Sequence, residues 1–291
     1  MLDLTRCEGA PTDLMRRVTT RLLELAPTLR AQDVMLIGAG CRDLLQTALG
    51  HEEPLRATQD IDVALALADW QIFHELRNRL KPTDGTTDGM RFHVAGAPVD
   101  LVPFGTVESP AGVVTPHQGR EGMSVWAFRE VFEHSMELPL TDEIVVRLPS
   151  VPGYAALKLC AWLDRVPRFE YKDASDIASV LRWYSESDSV LERLYDFERD
   201  ASILVANGTD AGVASAQLLG SDVVTVIGPE RQLELEQRWP DRQQDALVRE
   251  MKLPQALSWT SSPERRREIL NGLERGLFSG PPDPAAAPGN S

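Results

Sequence analysis

The sequence predicts an α/β (α+β) N-terminal half followed by a mainly helical C-terminal half. Three observations carry this. Short apolar runs of strand length alternate with helix-period segments up to Leu148. At Pro149-Ser150-Val151-Pro152-Gly153 the character changes. Beyond that point helical spacing dominates to the end of the ordered composition. The division is residues 1–150 as an α/β domain, 151–279 as a helical domain, and 280–291 as a disordered tail rich in Pro, Ala and Gly. No internal repeat is present.

Asp13–Leu25 carries Leu14, Met15, Val18, Leu22 and Leu23 at helical spacing and reads as a helix. Asp33–Ile37 is a short apolar run and reads as a buried strand. Gly38-Ala39-Gly40 breaks it, and Cys41–Leu49 reads as a helix stopped by Gly50. His51–Gln59 is polar loop. Asp60–Leu67 alternates and reads as a strand. Asp69–Leu80 is helical with Asp69 as N-cap. Met90–Val94 and Val99–Phe104 read as strands around the turn Gly96-Ala97-Pro98, and Ile144–Leu148 as another strand. The second half reads as helices over Tyr154–Leu163, Lys172–Tyr184 and Ser189–Val205, closed by Asn207-Gly208. The remainder reads as helix in pieces, with Val223–Ile227 a further strand.

Of 291 residues, 43% are hydrophobic and 25% charged, the balance of a globular chain with a real core. No apolar run approaches the ~20 residues of a spanning helix, and Met1–Arg6 lacks the basic-then-apolar pattern of a signal peptide. Membrane partners are therefore not expected. Cys7, Cys41 and Cys160 are odd in number and widely spaced, which points away from a disulfide framework or a zinc site and toward a reducing cytoplasm. The net charge of −14 argues against a large nucleic-acid surface, although a local basic patch can coexist with an acidic remainder.

The central feature is Asp60-Ile61-Asp62 on a strand. Alternation puts both carboxylates on one face. Two like charges so placed repel unless a cation lies between them, and Mg²⁺ is the hard, oxygen-seeking candidate. Asp100 is a lone acid in the apolar run Val99–Phe104. If its strand neighbours the first, three carboxylates (Asp60, Asp62, Asp100) can hold two metals, one activating a hydroxyl and one neutralising a leaving pyrophosphate. DxD pairs are also common on solvated strand faces. An unpaired acid inside an apolar strand is rarer, because burying it is costly.

Gly38-Ala39-Gly40-Cys41-Arg42-Asp43 lies between strand and helix, where small residues let backbone N–H groups approach phosphate oxygens. A tight turn needing positive φ explains the glycines equally well. Arg42 can reach a phosphate, pair with Asp43, or pair with a surface acid. Arg56 and Thr58 stand just before the acidic pair and within reach of a triphosphate. Lys158 sits in the apolar helix Ala156–Leu163 and either meets an anion such as a phosphate or snorkels to the surface. Asp173 and Asp176 share one helix face, where they can cap the helix, pair with Arg165 or Lys158, or position an acceptor.

In order, Ile37–Leu44, Leu55–Ala64, Val99–Gly105, Leu157–Arg165 and Lys172–Ile177 resemble the motifs of AbiEii/MenT-type nucleotidyltransferases, members of the DNA polymerase β-like superfamily. The match covers about residues 33–185. The resemblance implies a mixed sheet with flanking helices, an NTP donor, and two Mg²⁺ (or Mn²⁺) ions on Asp60, Asp62 and Asp100. It implies phosphate contacts from Gly38, Ala39, Arg42, Thr58 and Lys158, and functional roles for Lys158 and Asp173. Many relatives are toxins of bacterial toxin–antitoxin systems that add nucleotides to the 3′ end of tRNA, so tRNA and a cognate antitoxin are the implied partners. Some relatives are silenced by phosphorylation at a Ser or Thr in the place that Thr58 holds. The glycine-to-Arg-Asp turn also looks like that of CCA-adding enzymes, although here it reads Gly-Ala-Gly where Gly-Gly or Gly-Ser is more usual.

Two other readings stand beside this one. An acidic transferase suits a cationic small molecule, such as an aminoglycoside, or a protein side chain as acceptor. A catalytically inactive nucleotide-binding module would keep the fold, but the presence of all three acids speaks against it. Arg265-Arg266-Arg267 is the clearest basic run after residue 207, and it reads as a solvated helix face.

Overall fold

Val34–Ile37 (β1), buried at all four positions, begins a seven-stranded mixed sheet. A computed structural model describes residues 2–7, 9–53, 60–83, 89–116, 122–239, 241–254 and 257–279. The chain divides into two compact units, Leu2–Leu157 and the part from Lys158 onward.

The first unit starts with α1 (Ala10–Leu25), then β1, then α2 (Gly38–Ala48). β2 (Ile61–Leu67), α3 (Gln71–Arg79), β3 (Lys81–Pro82), β4 (Arg91–Val94) and β5 (Ala97–Gly105) follow. A small separate ribbon is made by β6 (Val113–Val114) and β7 (Met123–Ser124). α4 (Phe128–Glu133), β8 (Met136–Pro139), β9 (Val145–Leu148) and the start of α5 (Val151–Arg165) complete it. The large sheet runs β3-β4-β5-β2-β1-β9-β8. β2 is antiparallel to β1 and parallel to β5, β4 is antiparallel to β5, and β9 is parallel to β1. Such a sheet needs cover on its apolar faces. Val34, Met35, Val63, Leu65, Val99, Leu101 and Val146 are buried within it. Phe104 of β5 meets Phe128 and Phe132 edge-on, at centroid distances of 5.8 and 5.5 Å, which docks α4.

Two details differ from the sequence reading here. α2 begins at Gly38 itself, so the glycines open the helix instead of separating it from the strand. The β4–β5 hairpin turns on Ala95-Gly96, both at positive φ (51° and 85°), so β5 starts at Ala97. That is the geometry of a two-residue hairpin whose turn twist matches the strands. β3, the β6–β7 ribbon, α4 and β8 were not anticipated, being only two to six residues long.

The second unit is helical: α6 (Lys172–Glu186), α7 (Asp188–Tyr195), α8 (Ala201–Ala206), α9 (Ala211–Gln237), α10 (Asp241–Glu250) and α11 (Pro263–Phe278). Two expectations are corrected. Ser189–Val205 is not one helix. It breaks at residues 196–200, where the Asp196 carbonyl accepts from the Arg199 and Ala201 amides and Arg193 holds Asp200 at 2.8 Å. Val223–Ile227 is not a strand. The run lies inside α9, with Val223, Val226 and Ile227 buried at i, i+3, i+4 spacing. Its β-branched composition favours a strand locally, but packing on α11 overrides propensity.

That packing is close because three glycines let the backbones meet. A Cβ on Gly276 would stand 1.9 Å from the Gln217 carbonyl oxygen, and one on Gly220 would stand 2.4 Å from that of Leu273. Gly272 likewise faces the Val213 carbonyl at 2.6 Å. Among the described residues α9 is the one helix long and apolar enough, by length and composition, to cross a membrane. Yet 56% of its apolar window is buried inside the structure, and the helix is interrupted at Gly228-Pro229. α6, α7 and α9 are tied by Asp222, which accepts from the Tyr184 hydroxyl and from both Arg193 Nη atoms. The three cysteines are buried free thiols.

Candidate functional site

The parallel register of β2 with β5 places Asp62 directly beside Asp100. Asp60, two residues earlier and just ahead of β2, falls on the same face by strand alternation. The structure therefore brings Asp60, Asp62 and Asp100 together at one end of the central strands. On the other side of β2, Ile37 of β1 is registered with Asp62, so the next residue, Gly38, arrives at the Asp62 carboxylate. A Cβ on Gly38 would lie 1.9 Å from Asp62 Oδ2, and Gly38 has φ +65°. Both the space and the backbone angle require glycine there. Gly38 and Ala39 form the first turn of α2, whose N-cap residue Ile37 supplies no side-chain hydrogen bond. First-turn N–H groups lack intrahelical partners and point out of the helix end beside the acids.

Arg91 is the site residue that the sequence reading missed. Antiparallel pairing sets Arg91 of β4 opposite Asp100. Its guanidinium grips both Asp100 oxygens, Nε to Oδ1 at 2.6 Å and Nη2 to Oδ2 at 2.7 Å, and Nη2 also reaches Asp60 Oδ2 at 2.6 Å. The Asp100 hydrogen bonds foremost, and the Asp60 charge after them, hold this guanidinium even more firmly protonated than usual. The signal was present: a two-residue turn at Ala95-Gly96 pairs Val94 with Ala97 and hence Arg91 with Asp100.

The donor set fits a divalent cation in kind, since it offers three hard carboxylates and already attracts one positive group. Among the described residues no group of three or more His, Cys, Asp or Glu is placed to hold a metal ion, and the Arg91 guanidinium stands between Asp60 and Asp100. A cleft of 430 Å³ beside α2, reached by Asp43, Gln46 and Thr47, contains none of the three acids.

Arg42 is 2% exposed and hydrogen-bonds Asp43 through Nε at 2.9 Å, the second of its three alternatives. Arg56 and Thr58 lie outside the described residues, as does the segment 280–291. Lys158 and Asp173 belong to the second unit. The Lys158 side chain is 12% exposed and does not snorkel; Nζ meets Asp176 at 2.7 Å and Asp173 at 3.2 Å. Asp173, fully buried in the first turn of α6, also accepts from Arg165 at 2.7 Å. The anion that Lys158 meets is thus a pair of the protein's own carboxylates. The basic run near the C-terminus is also committed internally. Arg265 pairs with Asp210, Arg266 is buried and donates to the carbonyls of Val248, Thr260 and Ser261, and Arg267 bonds Asp245. Arg266 is thus a buried staple, while Arg265 and Arg267 are half-buried and form ion pairs at the surface.

Compared with known proteins, the chain matches no family model, and no curated protein matches it significantly.

Proposed function

We propose that the chain is a metal-dependent nucleotidyltransferase of the AbiEii/MenT type, acting in the cytoplasm. It would transfer NMP from an NTP to an acceptor hydroxyl, with pyrophosphate leaving. The observation that carries this reading is the register of Asp62 with Asp100, with Asp60 on the same face and the glycine-opened helix α2 against Asp62. Carboxylates beside the N-terminal turn of a helix suit a triphosphate carrying its cations.

Asp60, Asp62 and Asp100 would hold the divalent ions, Mg²⁺ or Mn²⁺, which supply charge neutralisation at the triphosphate and activation of the attacking hydroxyl. The N–H groups of Gly38 and Ala39 would bind phosphate oxygens and hold the donor in line. In the second unit, Lys158 and Asp173 resemble the family's later motif, and Asp176 and Arg165 fix their orientation within a buried cluster.

The 3′ end of tRNA is the proposed acceptor, and a toxin partnered by an antitoxin the proposed setting. A cationic small molecule or a protein side chain is the second reading of the acceptor. It is favoured by the net charge of −14 and by the internal engagement of Arg265, Arg266 and Arg267.

The test incubates the purified chain with each α-labelled NTP, Mg²⁺ and total bacterial tRNA, beside an Asp60→Ala, Asp62→Ala control. Label on tRNA that the control loses supports the tRNA reading. Turnover with label elsewhere moves the acceptor to the second reading. No turnover of any NTP with Mg²⁺ or Mn²⁺ refutes the transferase and leaves the inactive binding module.

A further inference from the structure

We propose that Arg91 is the resident counter-cation of the carboxylate site: it holds Asp60 and Asp100 together without metal, and it must yield their oxygens before a divalent ion can bind. The inference rests on the metal-dependent reading above and adds a positioning residue to it.

The position of Arg91 is fixed by backbone pairing and not by a flexible approach. β4 and β5 are joined by a two-residue turn, and their ladder sets Arg91 opposite Asp100. Side chains opposite each other on antiparallel strands share a face. The guanidinium occupies Asp100 Oδ1, Asp100 Oδ2 and Asp60 Oδ2 with three bonds of 2.6 to 2.7 Å. Bidentate charge-assisted bonds of this kind are the strong and orienting ones. A metal bridging Asp60 and Asp100 needs oxygens from the same two groups.

Charge gives the same answer. The Arg91 guanidinium is a like charge to a divalent ion, and it is in contact with two of the acids that would hold one. Arg91 is partly exposed at 30% of its side chain, which gives the displaced guanidinium a route toward water. Its role is distinct from a catalytic one: it sets the separation and orientation of the acids, and it raises the metal concentration needed to fill them.

Calorimetric titration of the full chain with Mn²⁺ tests this, using wild type, Arg91→Gln and Arg91→Lys. Arg91→Gln removes both the like charge and the charge-assisted bonds that must break before Mn²⁺ binds, so it should tighten Mn²⁺ binding at least about tenfold. Arg91→Lys keeps the charge but loses the fork that spans both acids, so it should bind a few-fold more tightly than wild type. Thermal unfolding gives a second readout: Arg91→Gln should melt lower than wild type in chelator and gain more from Mn²⁺. Equal or weaker binding in both variants, with wild type binding Mn²⁺, overturns the role of Arg91 and leaves the metal reading intact. No Mn²⁺ binding by any of the three proteins overturns both. If Arg91→Gln does not fold, Arg91→Lys decides alone, with tighter binding in support and equal or weaker binding against.

Discussion

Gly38 and Gly40 stand two residues apart in the same helix opening, yet alanine should act oppositely at the two sites. At Gly38 the new Cβ would lie 1.9 Å from Asp62 Oδ2, 2.6 Å from Asp62 Cγ and 2.8 Å from Asp62 Cβ. The last atom is close to the β2 backbone, so turning the carboxylate alone does not relieve the clash. The positive φ of +65° adds about 1–2 kcal/mol for a residue with a Cβ. Forcing Asp62 off its rotamer adds about 1 kcal/mol. Gly38→Ala should therefore destabilise by about 2–3 kcal/mol. At Gly40 the nearest atom to a new Cβ is Leu36 Cδ1 at 3.4 Å, and φ lies in the ordinary range. Gly40→Ala should be neutral or stabilise by up to about 1 kcal/mol, the helix-propensity gain. Urea unfolding of both variants reads the difference. Because Asp62 moves, Gly38→Ala should also lose nucleotide transfer by about a hundredfold or more, a positional effect of the size that ångström-scale shifts produce. Equal stabilities for the two variants would refute the contact between Gly38 and Asp62.

Three further outcomes follow from the geometry. Lys158→Met leaves Asp173 and Asp176 buried with one cation fewer, so it should cost about 3 kcal/mol or more in chemical unfolding; a neutral result would mean the cluster is solvated. Asp210 has its pKa lowered, chiefly by hydrogen bonds from Arg265. Its contribution is thus fully present above the unfolded carboxylate pKa of about 3.9 and is lost as pH falls through the lowered folded value. Asp210→Asn should therefore be less stable than wild type at neutral pH, and the gap should close below about pH 4, whereas a gap that widens in acid would contradict the pairing. Gly276→Ala pushes a Cβ to within 1.9 Å of the Gln217 carbonyl, so α9 and α11 must separate. Its melting temperature should fall, the overpacking loss of about 1–3 kcal/mol exceeding the helix-propensity gain, and an unchanged value would refute the close approach.

The legible parts of the sequence are those where one local rule dominates. Val34–Ile37 is apolar at every position because both faces of a central strand are covered, and Asp60 and Asp62 share a face because the strand period is two. Asp100 could be marked because an acid in an apolar strand is rare, but its pairing with Asp62 depends on which strands neighbour each other, and no local pattern states that. Arg91 was missed for a similar reason. Its meaning appears only when the hairpin is counted residue by residue from Ala95-Gly96. Val223–Ile227 misled because β-branched residues favour strands in isolation, while the glycines that draw α11 against α9 are distant in sequence. Lys158 was visible as an anomaly and Asp173 and Asp176 as partners for it, because i, i+3 spacing puts both acids on one helix face; which of the open alternatives held was set by the burial of the cluster.

Anomalous diffraction from crystals grown with Mn²⁺ and a non-hydrolysable NTP locates both the metal and the nucleotide. Manganese peaks should appear among Asp60, Asp62 and Asp100, with phosphate oxygens against the Gly38 and Ala39 amides and Arg91 displaced from at least one carboxylate. A nucleotide bound elsewhere, or manganese absent from these acids at saturating concentration, would contradict the proposed site.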